Sequence, residues 1–239
     1  MTLYDTIKED LLAKILDGTY PEGQTIPTEL ELAEQYGVSR PTVRQAIQIL
    51  ADDGYLERRR RRGTIVTRPR VSQSFAMEVS SFDDALRSGG HVPSTTVLDF
   101  RAESAKDAVA EALELAPGAP VWRLLRLRYA DGQPNVLVES YVPQEGYEAL
   151  GGEDFSTTSL YEAMGRSGDS VATAHRRLEV AKADGTSCTL LGLEEGDPVI
   201  HFTTVARDDA GRAVEYSLAT YRGESNAFEF DAVRPSRQQ

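Results

Sequence analysis

The fold of the N-terminal part follows from residues 26–66, whose sequence is IPTELELAEQYGVSRPTVRQAIQILADDGYLERRRRRGTIV. Thr28 and Glu31 form the capping-box pattern that begins a helix. Gly37 then ends this helix, because glycine accepts the left-handed backbone of a tight stop. The side of the helix that we expect to be buried carries Leu30, Ala33 and Tyr36.

A second helix is predicted directly after the first. Ser39 is its expected N-cap, Pro41 lies in its first turn, and Gly54 closes it. Its apolar stripe consists of Val43, Ala46, Ile47 and Leu50. Two helices joined by a short turn with glycine predict a helix-turn-helix, in which the start of the second helix meets base edges in the major groove. An amphipathic helix with Ile7, Leu11 and Ile15 at four-residue spacing precedes the pair.

Five consecutive arginines, Arg58 to Arg62, follow the second helix. The runs YLERR and GTIVT flank Arg60 to Arg62 and predict a β-hairpin beside the helix-turn-helix. Residues 56–70 hold seven arginines and one acid, whereas the whole chain carries a net charge of −12. An arginine run alone is typical of a solvated surface, but this order of elements favours contact with DNA phosphates or the minor groove.

Composition divides the 239-residue chain into a neutral and an acidic part. Residues 1–70 have equal numbers of basic and acidic side chains, so the remainder carries the whole imbalance. We find no apolar run of membrane-spanning length and no secretory signal in the sequence. Cys188 is the single cysteine, which excludes an intrachain disulfide. We therefore expect a cytoplasmic protein with no membrane partner.

The N-terminal motifs P-T-E-x-x-L-A, G-V-S-R-x-T-V-R-x-A and R-G-T-x-V resemble the winged helix-turn-helix of the GntR family of bacterial transcription regulators. The resemblance implies that Arg40 and Arg44, with Thr42 between them, bind operator DNA. Two positions differ from the family pattern, because Leu30 stands where relatives often have a DNA-contacting arginine and Arg61 where glycine is common. The complete DNA-binding set that we predict is Arg40, Thr42, Arg44, Arg58, Arg60, Arg61, Arg62 and Gly63.

The acidic part contains hairpins around ADGQP and DDAG with helices between them, which predicts an α+β domain around an antiparallel sheet. One of its helices is expected to begin at Ser104 and to bury Ala108, Ala112 and Leu115. Strand periodicity places Arg126 and Arg128 on one face of a strand. This pair is consistent with an internal ion-pair network or a solvent-facing sheet, and also with a site for an anion.

Residues 75–232 resemble the effector-binding domain of HutC-type GntR regulators, which has a chorismate-lyase-like fold. The motifs are L-x-R-x-R-Y-A-D-G-Q-P, V-E-S-Y-V-P, T-S-L-Y-E and V-E-Y-S-L-A-T-Y-R-G. Some relatives have a further basic residue on the strand that matches VATAHRRLE, where Thr173 stands here and His175 could substitute. The resemblance implies that a phosphate is held by Arg126, Arg128, Ser159 and Tyr161, that a sugar contacts Glu139, Glu215 and Tyr221, and that Phe82 closes over the ligand.

The sequence therefore predicts an α+β protein with a winged helix-turn-helix in residues 1–68, a linker in 69–76 and an effector-binding and dimerisation domain in 77–235. We expect a homodimeric repressor that binds a palindromic double-stranded operator and is released by a small anionic metabolite such as a phosphorylated amino sugar. Two alternatives stay open, in which the domain senses a non-phosphorylated acid or amino-acid derivative, or only dimerises. The histidines His91, His175 and His201 are scattered, so we expect no metal, no cofactor and no enzyme activity.

Overall fold

The computed structural model describes residues 2–60, 62–67, 71–73, 82–167 and 170–228. The chain divides between residues 70 and 71 into two compact units. The predictions on Arg61 and on most of the linker at 69–76 lie outside the described residues. None of the described helices has the length and apolar character that a membrane crossing requires.

The first unit consists of three helices and a hairpin. The helices are α1 (Leu3–Leu16), α2 (Glu29–Tyr36) and α3 (Arg40–Asp52), and the antiparallel strands are β1 (Leu56–Arg59) and β2 (Gly63–Val66). The predicted capping box is present, because the backbone N–H of Glu31 donates to Thr28 Oγ1 at 3.3 Å and that of Thr28 donates to Glu31 Oε2 at 2.8 Å. Gly37 ends α2 with a φ of 63°.

The core of this unit lies between α1, α2 and α3 and includes one residue of each hairpin strand. Its buried side chains include Ile7, Leu11, Ile15, Leu32, Val43, Ile47, Leu50, Leu56 and Val66. The expectation that Leu30 is buried is wrong, since Leu30 is 52% exposed and Leu32 is fully buried. The two leucines are two residues apart and therefore point to different sides of an eight-residue helix, so only one of them can face α3.

The second unit is built on a six-stranded antiparallel sheet in the order β4-β5-β6-β9-β8-β7. Its strands are β4 (Pro93–Ser104), β5 (Pro120–Ala130), β6 (Gln133–Pro143), β7 (Thr173–Lys182), β8 (Pro198–Arg207) and β9 (Ala213–Arg222). The helices are α4 (Phe82–Ser88), α5 (Asp107–Ala112), α6 (Leu160–Arg166) and α7 (Gly185–Leu191), and a 3-10 turn spans Glu148–Gly152. The predicted α+β class with an antiparallel sheet is confirmed.

A short parallel pair joins β3 (Val71–Gln73) to β10 (Asn226–Phe228). Residues 71–73 fall inside the segment that we predicted as a linker, so that boundary differs from the structure. The helix predicted to start at Ser104 also differs. Ser104 ends β4, where it pairs with Pro120, and α5 begins at Asp107 after Lys106 as N-cap, so that Val109 and Ala110 are buried instead of Ala108.

Strand register determines which side chains share a face of the large sheet. Arg126 on β5 lies opposite Val138 on β6, and Ser140 lies opposite Ser217 on β9. Ser217 in turn lies opposite Thr204 on β8, and Thr204 opposite Arg176 on β7. Because directly paired residues point to the same side of a sheet, these polar residues share one face, which we name the cavity face.

Candidate functional site

The start of α3 presents the polar side chains that the sequence assigns to DNA. Arg40 and Arg44 are exposed, while Thr42 is half-buried and its Oγ1 lies 2.8 Å from Ser39 Oγ. Ser39 is the N-cap as predicted, although its side chain makes no capping bond to the helix backbone. The apolar stripe of α3 is buried, so the helix is fixed to the unit by one side and leaves its arginines on the other.

Glu29, the first residue of α2, binds the side chain of Arg44. Arg44 Nε lies 3.2 Å and 3.1 Å from the two carboxylate oxygens, and Arg44 Nη2 donates to Oε2 at 2.8 Å. Arg58 Nη2 on β1 lies 3.5 Å from Glu29 Oε1. The hydrogen bonds from Arg44 hold the pKa of Glu29 below its ordinary value, so the carboxylate is ionised at neutral pH.

The hairpin forms a wing with an exposed basic surface. Arg58, Arg59, Arg60 and Arg62 are all exposed, and Arg59 Nη2 lies 2.8 Å from Glu57 Oε2. Gly63 begins β2 with a φ of 89°, a conformation that favours glycine. The predicted hairpin is therefore present, and its arginines lie in the same unit as the arginines of α3.

The second unit contains a cavity of about 90 Å³ between the cavity face and the helices α4 and α6. It brings together seven of the eight residues that we predicted as effector ligands, and only Glu139 is missing. The lining consists of Phe82, Arg126, Arg128, Val138, Ser140, Ser159, Leu160, Tyr161, Arg176, Phe202, Thr204, Glu215, Ser217, Ala219 and Tyr221.

Arg126 is a buried cation with an unsatisfied hydrogen-bond donor. Its side chain is 4% exposed, and its Nε has no hydrogen-bond partner among the described residues. Burial, and then the nearby charge of Arg128, lower the pKa of Arg126 to about 9, while Glu215 acts in the opposite direction. A buried donor without a partner is costly, so this group is well suited to receive an acceptor from a bound molecule.

Arg128 is also buried, but it has protein partners. Its Nη2 donates to Asp83 Oδ1 at 2.7 Å and its Nε donates to Thr95 Oγ1 at 3.2 Å. The guanidinium carbon lies 4.2 Å from the ring centroid of Phe82, which is a cation–π distance. Burial lowers the pKa of Arg128, and the charge of Asp83 opposes that shift. Asp83 and Phe82 both belong to α4, so Arg128 attaches this helix to the sheet.

Glu215 provides the carboxylate of the cavity and is 3% exposed. Ser140 Oγ donates to one of its oxygens at 2.9 Å, and the Tyr161 hydroxyl donates to the other at 2.7 Å. Burial, and then the charge of Glu215, raise the pKa of Tyr161, so the phenol keeps its proton. Tyr221 packs edge-on against Phe202 with ring centroids 5.8 Å apart, which forms an apolar wall.

Glu139 lies on the opposite face of the sheet and does not line the cavity. It pairs with Leu125 and Leu218, and its Oε1 accepts a hydrogen bond from Arg123 Nε at 2.6 Å. Side chains alternate along a strand, so the neighbours of Glu139, Val138 and Ser140, face the cavity instead. The structure therefore corrects the placement of this predicted ligand.

Two charged residues of the cavity region were missed from the sequence. Arg176 lines the cavity, whereas Thr173 and His175, the positions considered on that strand, pair with Arg207 and Val205 on the opposite face. The alternation in ATAHRRLE contains this signal, but it needs the register with β8 to show which residue points inward. Asp83, the partner of Arg128, carried no sequence signal beyond its position after Phe82.

Metal-ligating residues do not gather in the described parts of the chain. Within residues 2–60, 62–67, 71–73, 82–167 and 170–228, no group of three or more His, Cys, Asp or Glu side chains is placed to hold a metal ion.

Comparisons with known proteins agree with both units. Residues 3–66 match the family model described as "Bacterial regulatory proteins, gntR family", and residues 88–226 match the model of the UTRA domain. The HTH-type transcriptional repressor NagR of Bacillus subtilis is 29% identical over 95% of this chain and 93% of its own length. The probable fructoselysine utilization operon transcriptional repressor of Escherichia coli is 32% identical over 90% of this chain and 88% of its own.

A solved structure supports the same arrangement of secondary structure. The crystal structure of PhnF from Mycobacterium smegmatis is similar with a TM-score of 0.70 and 30% identity, and the alignment covers 95% of this chain and 99% of that one. The relatives are named as transcription regulators and not as enzymes.

Proposed function

Because the chain belongs to the gntR family of bacterial regulatory proteins and carries a UTRA domain, we propose that it is a repressor that a small anionic metabolite releases from its operator. The observation that carries the ligand response is Arg126, a buried cation that lines the cavity and whose Nε has no hydrogen-bond partner among the described residues. Arg126 therefore offers an anion a buried positive charge, in a chain that belongs to a family of DNA-binding regulators.

The proposed DNA contact uses the predicted set Arg40, Thr42, Arg44, Arg58, Arg60, Arg61, Arg62 and Gly63. Arginines at the start of α3 are suited to bidentate contacts with guanine in the major groove, and those of the wing to phosphates. Each phosphate that a cation neutralises steepens the salt dependence of binding by about 0.9 in the logarithmic slope. A slope of only one or two in a mobility-shift series would contradict this assignment.

The chemistry of the cavity favours a phosphorylated sugar among anionic ligands. Arg126 and Arg176 offer positive charge, Glu215 accepts hydrogen bonds from hydroxyls, and the rings of Phe202 and Tyr221 provide an apolar wall. This combination suits a molecule with an anionic end and a hydroxylated ring. A non-phosphorylated acid is the second candidate, because a carboxylate can also accept a hydrogen bond from Arg126 Nε.

The ligand response follows from competition for Arg128. In the structure Arg128 binds Asp83 on α4, the first described helix of the second unit. A ligand anion that binds Arg126 and Arg128 would displace Asp83 and weaken the attachment of α4 to the sheet. Such a ligand binds the two states with different affinity, which is the condition for shifting the protein away from the DNA-binding state.

We also propose a homodimer, since a palindromic operator has two half-sites and requires two DNA-binding units. The opposite face of the sheet supports it, because Leu125, Leu137 and Leu218 line a groove of about 320 Å³ there, together with polar residues that include Glu139, Glu179 and His201. Leu218 is 39% exposed. Light scattering coupled to size exclusion tests this part, with dimer mass expected for the unmodified protein and monomer mass for Leu218→Asp.

The experiment for the whole proposal measures release of a fluorescent duplex, selected by the protein from a random pool. Hexose phosphates, amino-sugar phosphates, the matching unphosphorylated sugars and dicarboxylates are added in turn. We expect release by one phosphorylated compound, loss of that release in Arg126→Met, and no change in Arg177→Met, whose side chain is 66% exposed. Release by dicarboxylates alone selects the second candidate, and no release by any compound means that the unit only dimerises.

A further inference from the structure

A carboxylate lies within the surface that we assign to DNA, where it repels phosphates. Glu29 is the first residue of α2, and its side chain is 22% exposed, less than those of Arg44 and Arg58, which it contacts. A negative charge at this place weakens attraction to a polyanion. The contacts that Glu29 makes with the neighbouring arginines indicate what offsets this unfavourable charge.

Glu29 connects three elements through two arginines. Both of its oxygens accept hydrogen bonds from Arg44 on α3, in the forked geometry that fixes a guanidinium plane. Its Oε1 also lies 3.5 Å from Arg58 Nη2 on β1, and the same nitrogen of Arg58 donates to the backbone oxygen of Arg44 at 3.4 Å. The wing and α3 thus share one carboxylate.

We propose that Glu29 is a positioning residue that holds Arg44 and Arg58 in a single geometry and so raises discrimination between DNA sequences at the cost of general affinity. The inference rests on the proposed DNA binding. Long arginine side chains lose rotamer freedom when they contact a base, and a side chain that is already held loses less on binding. This gain in binding free energy arises only where Arg44 contacts a particular base edge. The repulsion between Glu29 and the phosphates is the same for every DNA sequence.

Two effects of opposite sign follow for Glu29→Gln. The variant removes a negative charge and half of the ion pair, so Arg44 becomes a mobile cation. Binding to a scrambled duplex becomes tighter, about threefold, with a logarithmic salt slope steeper by about 0.9, the value for one phosphate contact. Binding to the selected duplex becomes weaker, and the ratio of the two affinities falls at least tenfold.

The test measures both affinities by fluorescence anisotropy for the full chain, with a duplex selected by the unmodified protein from a random pool and a scrambled duplex of the same composition. Glu57→Gln is the matched control, because Glu57 pairs with Arg59 within the wing and does not bridge to α3. It is expected to steepen the salt slope and to keep the affinity ratio. Glu29→Asp retains the charge but shortens the reach, so it is expected to keep the slope and to lower the ratio.

Each outcome decides the inference. A lowered ratio in both Glu29 variants, with the ratio of Glu57→Gln unchanged, supports positioning. An unchanged ratio in Glu29→Gln, or equal changes in Glu29→Gln and Glu57→Gln, overturns it and leaves only a charge effect. If the unmodified protein selects no sequence from the pool, the proposed DNA binding itself fails, which is a separate result.

Discussion

Replacing Arg126 by methionine is expected to make the second unit more stable, because it removes a buried charge together with its three nitrogens. Methionine keeps an unbranched side chain that reaches about as far as the Nε of arginine, and it has no buried donor or charge to satisfy. Within the part of the chain that the structure describes, Arg126 Nε has no hydrogen-bond partner, and burial lowers the pKa of the side chain, so its charge destabilises the free protein. The increase in stability on substitution therefore measures the part of the desolvation cost of Arg126 that its contacts in the cavity do not offset.

The pKa of Arg126 gives the magnitude. Burial lowers it from the ordinary value of arginine to about 9, and one pKa unit is worth about 1.4 kcal/mol, so the cost of the charge is on the order of 5 kcal/mol. At pH 7, below both values, Arg126 is protonated in the folded and the unfolded chain, and the full cost applies. The cost disappears only as the pH rises through about 9 toward the ordinary pKa of arginine. After imperfect packing of methionine, we expect a gain of about 2–4 kcal/mol.

The fluorescence of Trp122 provides the assay, because it is the only tryptophan and lies in the second unit. Its Nε1 donates to the backbone oxygen of Tyr147 at 3.0 Å, so its environment changes when this unit unfolds. For a unit of this size the expected gain raises the midpoint of thermal unfolding by roughly 5–10 °C.

Arg128→Met is the contrasting variant, because Arg128 is paired. Its removal leaves the carboxylate of Asp83, whose side chain is 20% exposed, without its guanidinium partner and removes the contact with Phe82. We expect a loss of about 1–2 kcal/mol, reduced by the partial exposure of Asp83. If both variants lower the midpoint equally, or if Arg126→Met leaves it unchanged, the protein already compensates the charge of Arg126, and its Nε is not an anion site.

Three further predictions concern the first unit. Leu30→Arg should tighten binding to any duplex and steepen the logarithmic salt slope by about 0.9, because position 30 is exposed; an unchanged slope would place it away from DNA. Thr28→Ala should lower the free energy of unfolding by about 1 kcal/mol in urea titrations followed by circular dichroism, because the capping box of α2 is lost, and a neutral result would argue against that cap. Gly63→Ala should cost about 1 kcal/mol by the same titration, since its φ is 89°, and no cost would mean that the turn relaxes.

Local signals in the sequence were sufficient for the helices and hairpins of the first unit. The capping box at Thr28 and the glycine stop at Gly37 depend on neighbouring residues only, and both are present. The choice between Leu30 and Leu32 was not local, because a helix of two turns offers both sides and the position of α3 selects one. Packing between elements, and not propensity, determined this outcome.

Without the family resemblance, which supplied Phe82, Ser159, Tyr161, Glu215 and Tyr221, the candidate cavity was predictable only where one strand carried the information. The alternation of β5 places Arg126 and Arg128 together without reference to any other strand. Arg176 and Glu139 required the pairing of β7 with β8 and of β6 with β5, which depends on contacts distant in sequence. The three-residue pair of β3 and β10 escaped prediction, since strands so short have no detectable period.

That short pair has a practical consequence. Val71 lies beside Asn226, so the first and last described strands of the second unit are neighbours, and hydrogen-bonded strands are about 5 Å apart. Segments with adjacent ends can be grafted into a surface loop of a host protein without stretching it. We therefore expect that residues 71–228 can be inserted into a surface loop of a fluorescent protein. The fluorescence of such a fusion would report the binding of a ligand in the cavity.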